Sequence, residues 1–334
     1  MIAPESLAPA EAASVMPRAH AGARDPQALA KLARDLGPGP FAAVILFISP
    51  EADHLAIEAG LAMAFPGVTV IGCTTAGEIS PEGYSEGEIV AVALPQSSFA
   101  VDCLGIDLNA LDGQELIGRL IRSRAGLSRL HPEWEDEFAF VMVDGLSIRE
   151  DELTAALGPG LGPVPLFGGS AGDGTRFSQT FVLQDGQFRQ GWAVLMLVRT
   201  ACKVKVFSLN HLTPTNRRMV VTGADPARRV VHQINAEPAA QEYARLLGKD
   251  PDQLTTFTFA AHPVAVRIGG KHHVRAIRAV EGSDLVFFSA IDEGVVLTLA
   301  DPQDMVAHLA AEMAQLSARG RPAAILACDC ILRR

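Results

Sequence analysis

Phe41-Ala42-Ala43-Val44-Ile45-Leu46-Phe47-Ile48 is an unbroken apolar run of strand length. A strand with one solvated face alternates apolar and polar side chains, so this run predicts a strand buried on both faces. Upstream, Gly37-Pro38-Gly39-Pro40 ends a short helix predicted over residues 26–36, with Asp25 as N-cap and Pro26 in the first helical position. Downstream, Asp53 caps a helix running to about Phe65, and residues 68–73 form a second buried strand. Residues 88–94 and 99–106 are two further strands. Asp112 and Glu115, spaced as in a capping box, open a helix with Leu116, Leu120 and Ile121 on one face.

The pattern then restarts. Residues 138–143 match the opening run in position and composition. Ser147 and Glu150 read as a second capping box, for a helix carrying Leu153 and Leu157, and residues 164–168 as the next strand. The turn at Ala76-Gly77-Glu78 has a counterpart at Ala171-Gly172-Asp173, so the turns and the leading strands (41 and 138) are displaced by nearly the same distance. These displacements predict an internal duplication, each copy being strand–helix–strand followed by antiparallel strands. From His211 the texture changes. Helices are expected over residues 225–235 and 238–248, and strands over 257–261, 264–268, 273–280 and 285–290. A last helix carries Val306, Leu309, Met313 and Leu316, and residues 323–328 read as a final buried strand. The chain stops six residues later, inside what reads as an ongoing segment, which predicts that the natural chain continues. The fold class is mixed α/β with two lobes. Residues 1–25 are expected to be a weakly ordered arm, 26–210 an N-terminal domain and 211–334 a C-terminal α+β domain.

Composition narrows the functional classes. With 28 basic against 38 acidic residues, net charge −10, the chain offers no clustered cations for neutralising phosphates, so nucleic acid is not expected as a partner. Five cysteines at 73, 103, 202, 328 and 330, without a CxxC pair, suit reduced thiols in a cytoplasm. No apolar run approaches bilayer length and the N-terminus lacks a signal-peptide core, so no membrane is expected either.

Gly168-Gly169-Ser170-Ala171-Gly172-Asp173-Gly174 follows a strand but lacks the Lys-Ser/Thr ending of a phosphate loop and the spacing of a dinucleotide fingerprint. It reads as a tight turn lining a pocket. Cys73 lies among the acids Glu78, Glu82, Glu86 and Glu88, which oppose thiolate formation, so it reads as a small core residue rather than a nucleophile. None of the nine histidines forms a metal-helix spacing. His211 and His262 differ from the others, each standing near a proline where pocket walls are built; either could serve as an imidazole ligand or hydrogen-bond a small molecule. Cys328-Asp329-Cys330 offers two sulfurs, too few for a closed metal site.

The ordered series Val70-Ile71-Gly72-Cys73-Thr74-Thr75-Ala76-Gly77-Glu78-Ile79, Gly83-Tyr84 and Leu166-Phe167-Gly168-Gly169-Ser170-Ala171-Gly172-Asp173 resembles the FIST N-terminal module. Asp225-Pro226, Val231-His232-Gln233-Ile234-Asn235 and Pro238-Ala239-Ala240 to Tyr243 resemble the FIST C-terminal module. The ending from Asp329 to Arg334 is similar to the subgroup of nitric-oxide-sensing haem proteins called NosP. The resemblance covers about residues 26–334. It implies a non-enzymatic cytoplasmic sensor that binds haem b non-covalently, responds to nitric oxide and regulates a sensor histidine kinase in trans; self-association into a homo-oligomer is left open. The iron ligand expected first is His211, then His262. A haem-free sensor of a small metabolite such as an amino acid is the alternative. Its pocket would be lined by Cys73, Thr74, Thr75, Gly77, Glu78, Gly169, Ser170 and Asp173. A Cys73-dependent enzyme ranks last. Ala236 stands where the family carries Gly in Ile-Asn-Gly, a departure expected to alter a local turn.

Overall fold

The computed structural model describes residues 15–80, 82–318 and 320–331. Phe41–Ile48 is the central strand of the first sheet, parallel to Thr69–Thr74 on one side and antiparallel to Glu88–Pro95 on the other. Its side chains alternate between two cores. Val44, Leu46 and Ile48 pack under the helices Ala28–Leu36 and His54–Ala64, whereas Ala43 and Ile45 face a second sheet. That double coverage is why no polar residue interrupts the run. Each fully buried aliphatic side chain of this kind stabilises the fold by about 1.5–3 kcal/mol.

The second half repeats the first. Asp136–Val143 lies parallel to Leu166–Ser170 and antiparallel to Trp192–Thr200, which pairs in turn with Phe99–Asp107. In the first sheet the corresponding outer strand is Arg18–Gly22, antiparallel to Glu88–Pro95. The two sheets therefore share one strand order, as a duplication requires. Helices Gly113–Leu130 and Glu150–Leu161 cover the outer face of the second sheet. The inner faces meet through Ile45 and Ile71 from one side and Phe140, Met142, Val194 and Met196 from the other. The N-terminal lobe is thus a helix–sheet–sheet–helix sandwich. One exchange ties the halves together: the hairpin Val182–Gln184 and Gln187–Arg189 of the second half extends the first sheet, with Val182 opposite Cys73 and Leu183 opposite Gly72.

The C-terminal lobe is an eight-stranded antiparallel sheet beginning with Leu212–Asp225, with helices Ala239–Leu247 and Thr256–Ala261 over a core containing Tyr243, Phe259 and Leu285.

Several local expectations are corrected. Residues 1–14 of the expected arm lie outside the described residues, but Arg18–Gly22 is a paired strand: its small alanines, Ala19 and Ala21, fit against the first helix where periodicity was too short to read. Val230–Ile234 is a strand, not part of a helix, because Asp225-Pro226 forms a turn closed by Arg229 N–H on the Pro226 carbonyl (3.2 Å). The β-branched Val230, Val231 and Ile234 then suit the sheet. Residues 257–261 are helical because Thr255 and Thr258 cap each other reciprocally. Ser147 does not cap the helix Glu150–Leu161; its hydroxyl donates to the Asp144 carbonyl, leaving Glu150 free for another role. Residues 323–328 form no strand and are mostly exposed. The apolar stripe of the helix Met305–Ser317 exists, yet none of its residues is buried. Asp53 and Asp112 do cap their helices, accepting from Ala56 N–H and from Gln114 and Glu115 N–H. Asn235 and Ala236 both have positive φ (53° and 65°) in the two-residue turn joining Val230–Ile234 to Glu237–Pro238, a backbone shape that glycine adopts without strain. Among the described residues, no helix is long and apolar enough to cross a membrane.

Candidate functional site

The parallel strands Thr69–Thr74 and Leu166–Ser170 both end at the same end of the sandwich, and their following turns meet there. Gly172 N–H donates to the Thr74 carbonyl (2.9 Å), and a Cβ on Gly172 would stand 2.8 Å from the Ala76 nitrogen, so only glycine permits this approach. Ends of parallel strands leave a crevice beyond their carboxyl termini, the usual ligand position in α/β sheets. Here the crevice is a cavity of about 970 Å³. Both turns line it, residues 74–78 and 168–174, which brings Thr74, Thr75, Gly77, Glu78, Gly169, Ser170 and Asp173 into one wall with Cys73.

Most polar groups in that wall are held by the chain itself. Thr74 Oγ1 accepts from Phe181 N–H (3.0 Å). The Thr75 hydroxyl lies between the Ile48 carbonyl (3.2 Å) and the Glu78 carboxylate, whose other oxygen accepts from Glu88 N–H at 3.2 Å. Burial raises the Asp173 carboxyl, but N–H groups of Gln179, Ser178 and Phe177 and the Ser178 hydroxyl outweigh it and hold the group below its ordinary value. Asp173 therefore builds the loop that follows it. Ser170 Oγ donates to Glu150 (3.2 Å), and Glu150 accepts from Arg229 of the C-terminal lobe, whose guanidinium also reaches Asp151 and the Phe288 carbonyl.

The remaining walls come from elsewhere. The C-terminal lobe supplies Arg228, Arg278, Phe287 and Phe288, with the Phe288 ring centred 5.5 Å from that of Phe177 and tilted 54° to it. Residues 325–331, after the last helix, return to the N-terminal lobe; Leu326 packs on the inter-sheet core, and Asp329 accepts from the Tyr84 hydroxyl. Cys328 faces the same cavity as Cys73. Burial, then the neighbouring Cys328, pushes the Cys73 thiol up to about 12, so it remains a thiol near neutral pH. Cys328 itself is exposed on the cavity wall.

His211 and His262 do not line this cavity. They flank opposite sides of the strand Val296–Pro302, His211 accepting from Gln303 N–H through its carbonyl (2.8 Å) and His262 ending the helix Thr256–Ala261. Burial, then Lys249 and Arg217, lower the His262 imidazole, against Asp301. Among the described residues the cavity's one histidine is His20, whose Nδ1 lies 3.1 Å from Glu88 and Nε2 3.5 Å from Glu82. Neither histidine expected as an iron ligand therefore reaches this cavity, whose other soft or nitrogen donors are His20, Met142 and the sulfurs of Cys73, Cys328 and Cys330. Arg18, His20, Glu150 and Arg229 were missed as cavity residues by sequence reading, and Cys328-Asp329-Cys330 was singled out for its two sulfurs and not as a cavity wall. The sole local signal of Arg18, Glu150 and Arg229 is charge in otherwise ordinary segments.

The FIST N domain model matches residues 42–237 and the FIST C domain model residues 239–334. No curated protein and no solved structure matches the chain. The boundary between the two models falls after the strand Leu212–Asp225 that opens the third sheet. The paired turns at the strand ends and the second lobe closing over them belong to a chain matched almost throughout by these two models, and the protein is a member of the FIST family of sensory signal-transduction domains.

Proposed function

We propose that this protein is a receptor for a small organic molecule, held in the cavity between its two lobes, and that occupancy is reported by the relative position of those lobes. The carrying observation is the cavity itself. At about 970 Å³ it is of ligand size, it combines aromatic walls with a few placed polar groups, and both lobes contribute to it. The network from Ser170 through Glu150 to Arg229 links the ligand-facing turn to the second lobe. A ligand shifts such an equilibrium only through different affinity for the two arrangements, and a molecule touching both lobes has that property. Catalysis by Cys73 gains no support, since a nucleophilic thiol needs a lowered pKa and this one is raised.

The finer expectation of haem, nitric oxide and a histidine kinase divides into parts. Nitric oxide sensing depends on the haem, and the two histidines expected to hold it, His211 and His262, lie outside the cavity, so the haem-free metabolite reading is preferred. The output to a partner protein in trans, a histidine kinase being the class to test first, is retained. The discriminating experiment is an absorption spectrum of protein expressed with added haem, before and after nitric oxide, beside a thermal-shift screen of amino acids and other metabolites. Colourless protein stabilised by a metabolite is the expected result. A stoichiometric Soret band that shifts with nitric oxide and is lost in His211→Ala or His262→Ala would overturn the preference.

A further inference from the structure

Charged side chains in the cavity wall have spent their hydrogen-bonding capacity unequally. The carboxylates are served from within the chain: Glu78 by Thr75 and Glu88 N–H, Glu150 by Ser170 and Arg229, Asp173 by the 177–179 loop, Asp329 by Tyr84. The guanidiniums are not matched in the same way. Arg229 is fully engaged, but Arg18 has no ion-pair or side-chain hydrogen-bond partner among the described residues. Arg228 and Arg278 share one carboxylate, Glu281, at 3.9 and 3.6 Å, distances of loose ion pairs. Each guanidinium carries five N–H donors and no acceptor. Arg18 enters from the edge strand of the first sheet, Arg228 and Arg278 from the C-terminal sheet, and between them lie Phe47, Phe140, Met142, Phe287 and Phe288.

We infer that the cavity takes an organic anion: a carboxylate or similar oxyanion met by Arg18 or by the Arg228–Arg278 pair, on an apolar, ring-sized or branched body that fills the aromatic wall. This rests on the receptor reading above and adds the sign and shape of the ligand. A cation would face carboxylates already accepting from the chain. Arg18 and Arg228 are exposed and Arg278 is about one-third exposed. A neutral apolar ligand filling the cavity would therefore take water from these guanidiniums and return no acceptor, whereas an oxyanion answers two N–H donors at once in the fork geometry of arginine.

A matched pair of fluorescent probes tests it, N-phenyl-1-naphthylamine and its 8-sulfonate, which share a body and differ in the anion. Titrated into the full chain, the sulfonate is expected to bind about tenfold or more tightly than the neutral amine, since hydrogen bonds to charged groups are the strong ones. Decanoate is expected to displace it and decylamine is not. The double variant Arg18→Gln/Arg278→Gln should lose most of the preference with the neutral probe unchanged, and Ala327→Trp, which fills the cavity from the 325–331 segment, should weaken both probes. Far-UV circular dichroism and melting temperature check that each variant is folded. Equal affinities in the parent, or a preference that survives the double variant, would sink the anion inference and leave the receptor reading standing. A preference untouched by Ala327→Trp would place the anion site outside the cavity and also defeat the inference. Binding of neither probe would defeat both readings.

Discussion

Replacing Arg229 with methionine removes the guanidinium that joins the lobes and keeps the aliphatic stem. The Arg229 side chain is 6% exposed and that of Glu150 24%, so the pair is largely shielded from water. Asp151, 60% exposed and 3.2 Å away, contributes little, about 0–1 kcal/mol. The variant leaves Glu150 with the Ser170 hydroxyl alone and strips the Phe288 carbonyl of its donor. Breaking one partner out of a shielded pair costs about 3–5 kcal/mol. The carbonyl accounts for about 1 kcal/mol of that, within the C-terminal lobe, and the remainder acts across the lobe boundary. Urea unfolding can separate these shares, because the chain's two tryptophans, Trp134 and Trp192, both belong to the N-terminal lobe. Far-UV circular dichroism follows both lobes. In the parent protein the two signals should coincide; in Arg229→Met the dichroism transition should begin earlier, as the C-terminal lobe opens on its own. A double-mutant cycle with Glu150→Gln should give a coupling of about 2 kcal/mol. Coupling below about 0.5 kcal/mol, with unsplit transitions, would refute the claim that this pair holds the lobes together.

Asp173→Asn should lower stability by about 1.5–3 kcal/mol at pH 7, the worth of a charge-assisted hydrogen bond in the 177–179 loop. Because the folded carboxyl lies below its unfolded value, this stabilisation is present above about pH 4 and fades as pH falls through the folded value; urea midpoints of parent and variant should converge below pH 4 and differ at pH 7. Ala236→Gly should raise stability by about 0.5–1 kcal/mol, since relief of a left-handed alanine at φ 65° exceeds the added flexibility of the unfolded chain. A lower urea midpoint in that variant would show the turn is not strained.

The legible parts of this fold are those whose cause is local. The run Phe41–Ile48 and its repeat in residues 138–143 announce strands covered on both faces, because every position must be apolar there. The displacement between the two glycine turns announces a duplication that the shared strand order bears out. The turns could also be read as pocket walls, since glycines grouped after a buried strand serve close approach. Errors cluster where local chemistry is ambiguous. Asp225-Pro226 opens a turn as readily as a helix, and in residues 257–261 a threonine cap outweighed aromatic strand preference. His211 and His262 were chosen for their neighbouring prolines, a feature that marks chain direction but not which cavity a ring reaches.

Taken alone, the amino-acid order determined the doubly covered strands of the N-terminal lobe, the repeat, the glycine turns and the family, all written in patterns a few residues to one repeat long. Which side chains share the cavity was decided by the tertiary structure. Arg18 and Asp329 stand at opposite ends of the chain, and Glu150 meets Arg229 across 79 positions. Such meetings depend on how two sheets stack and how residues 325–331 return to the N-terminal lobe, and these are properties of packing that no short window of sequence contains.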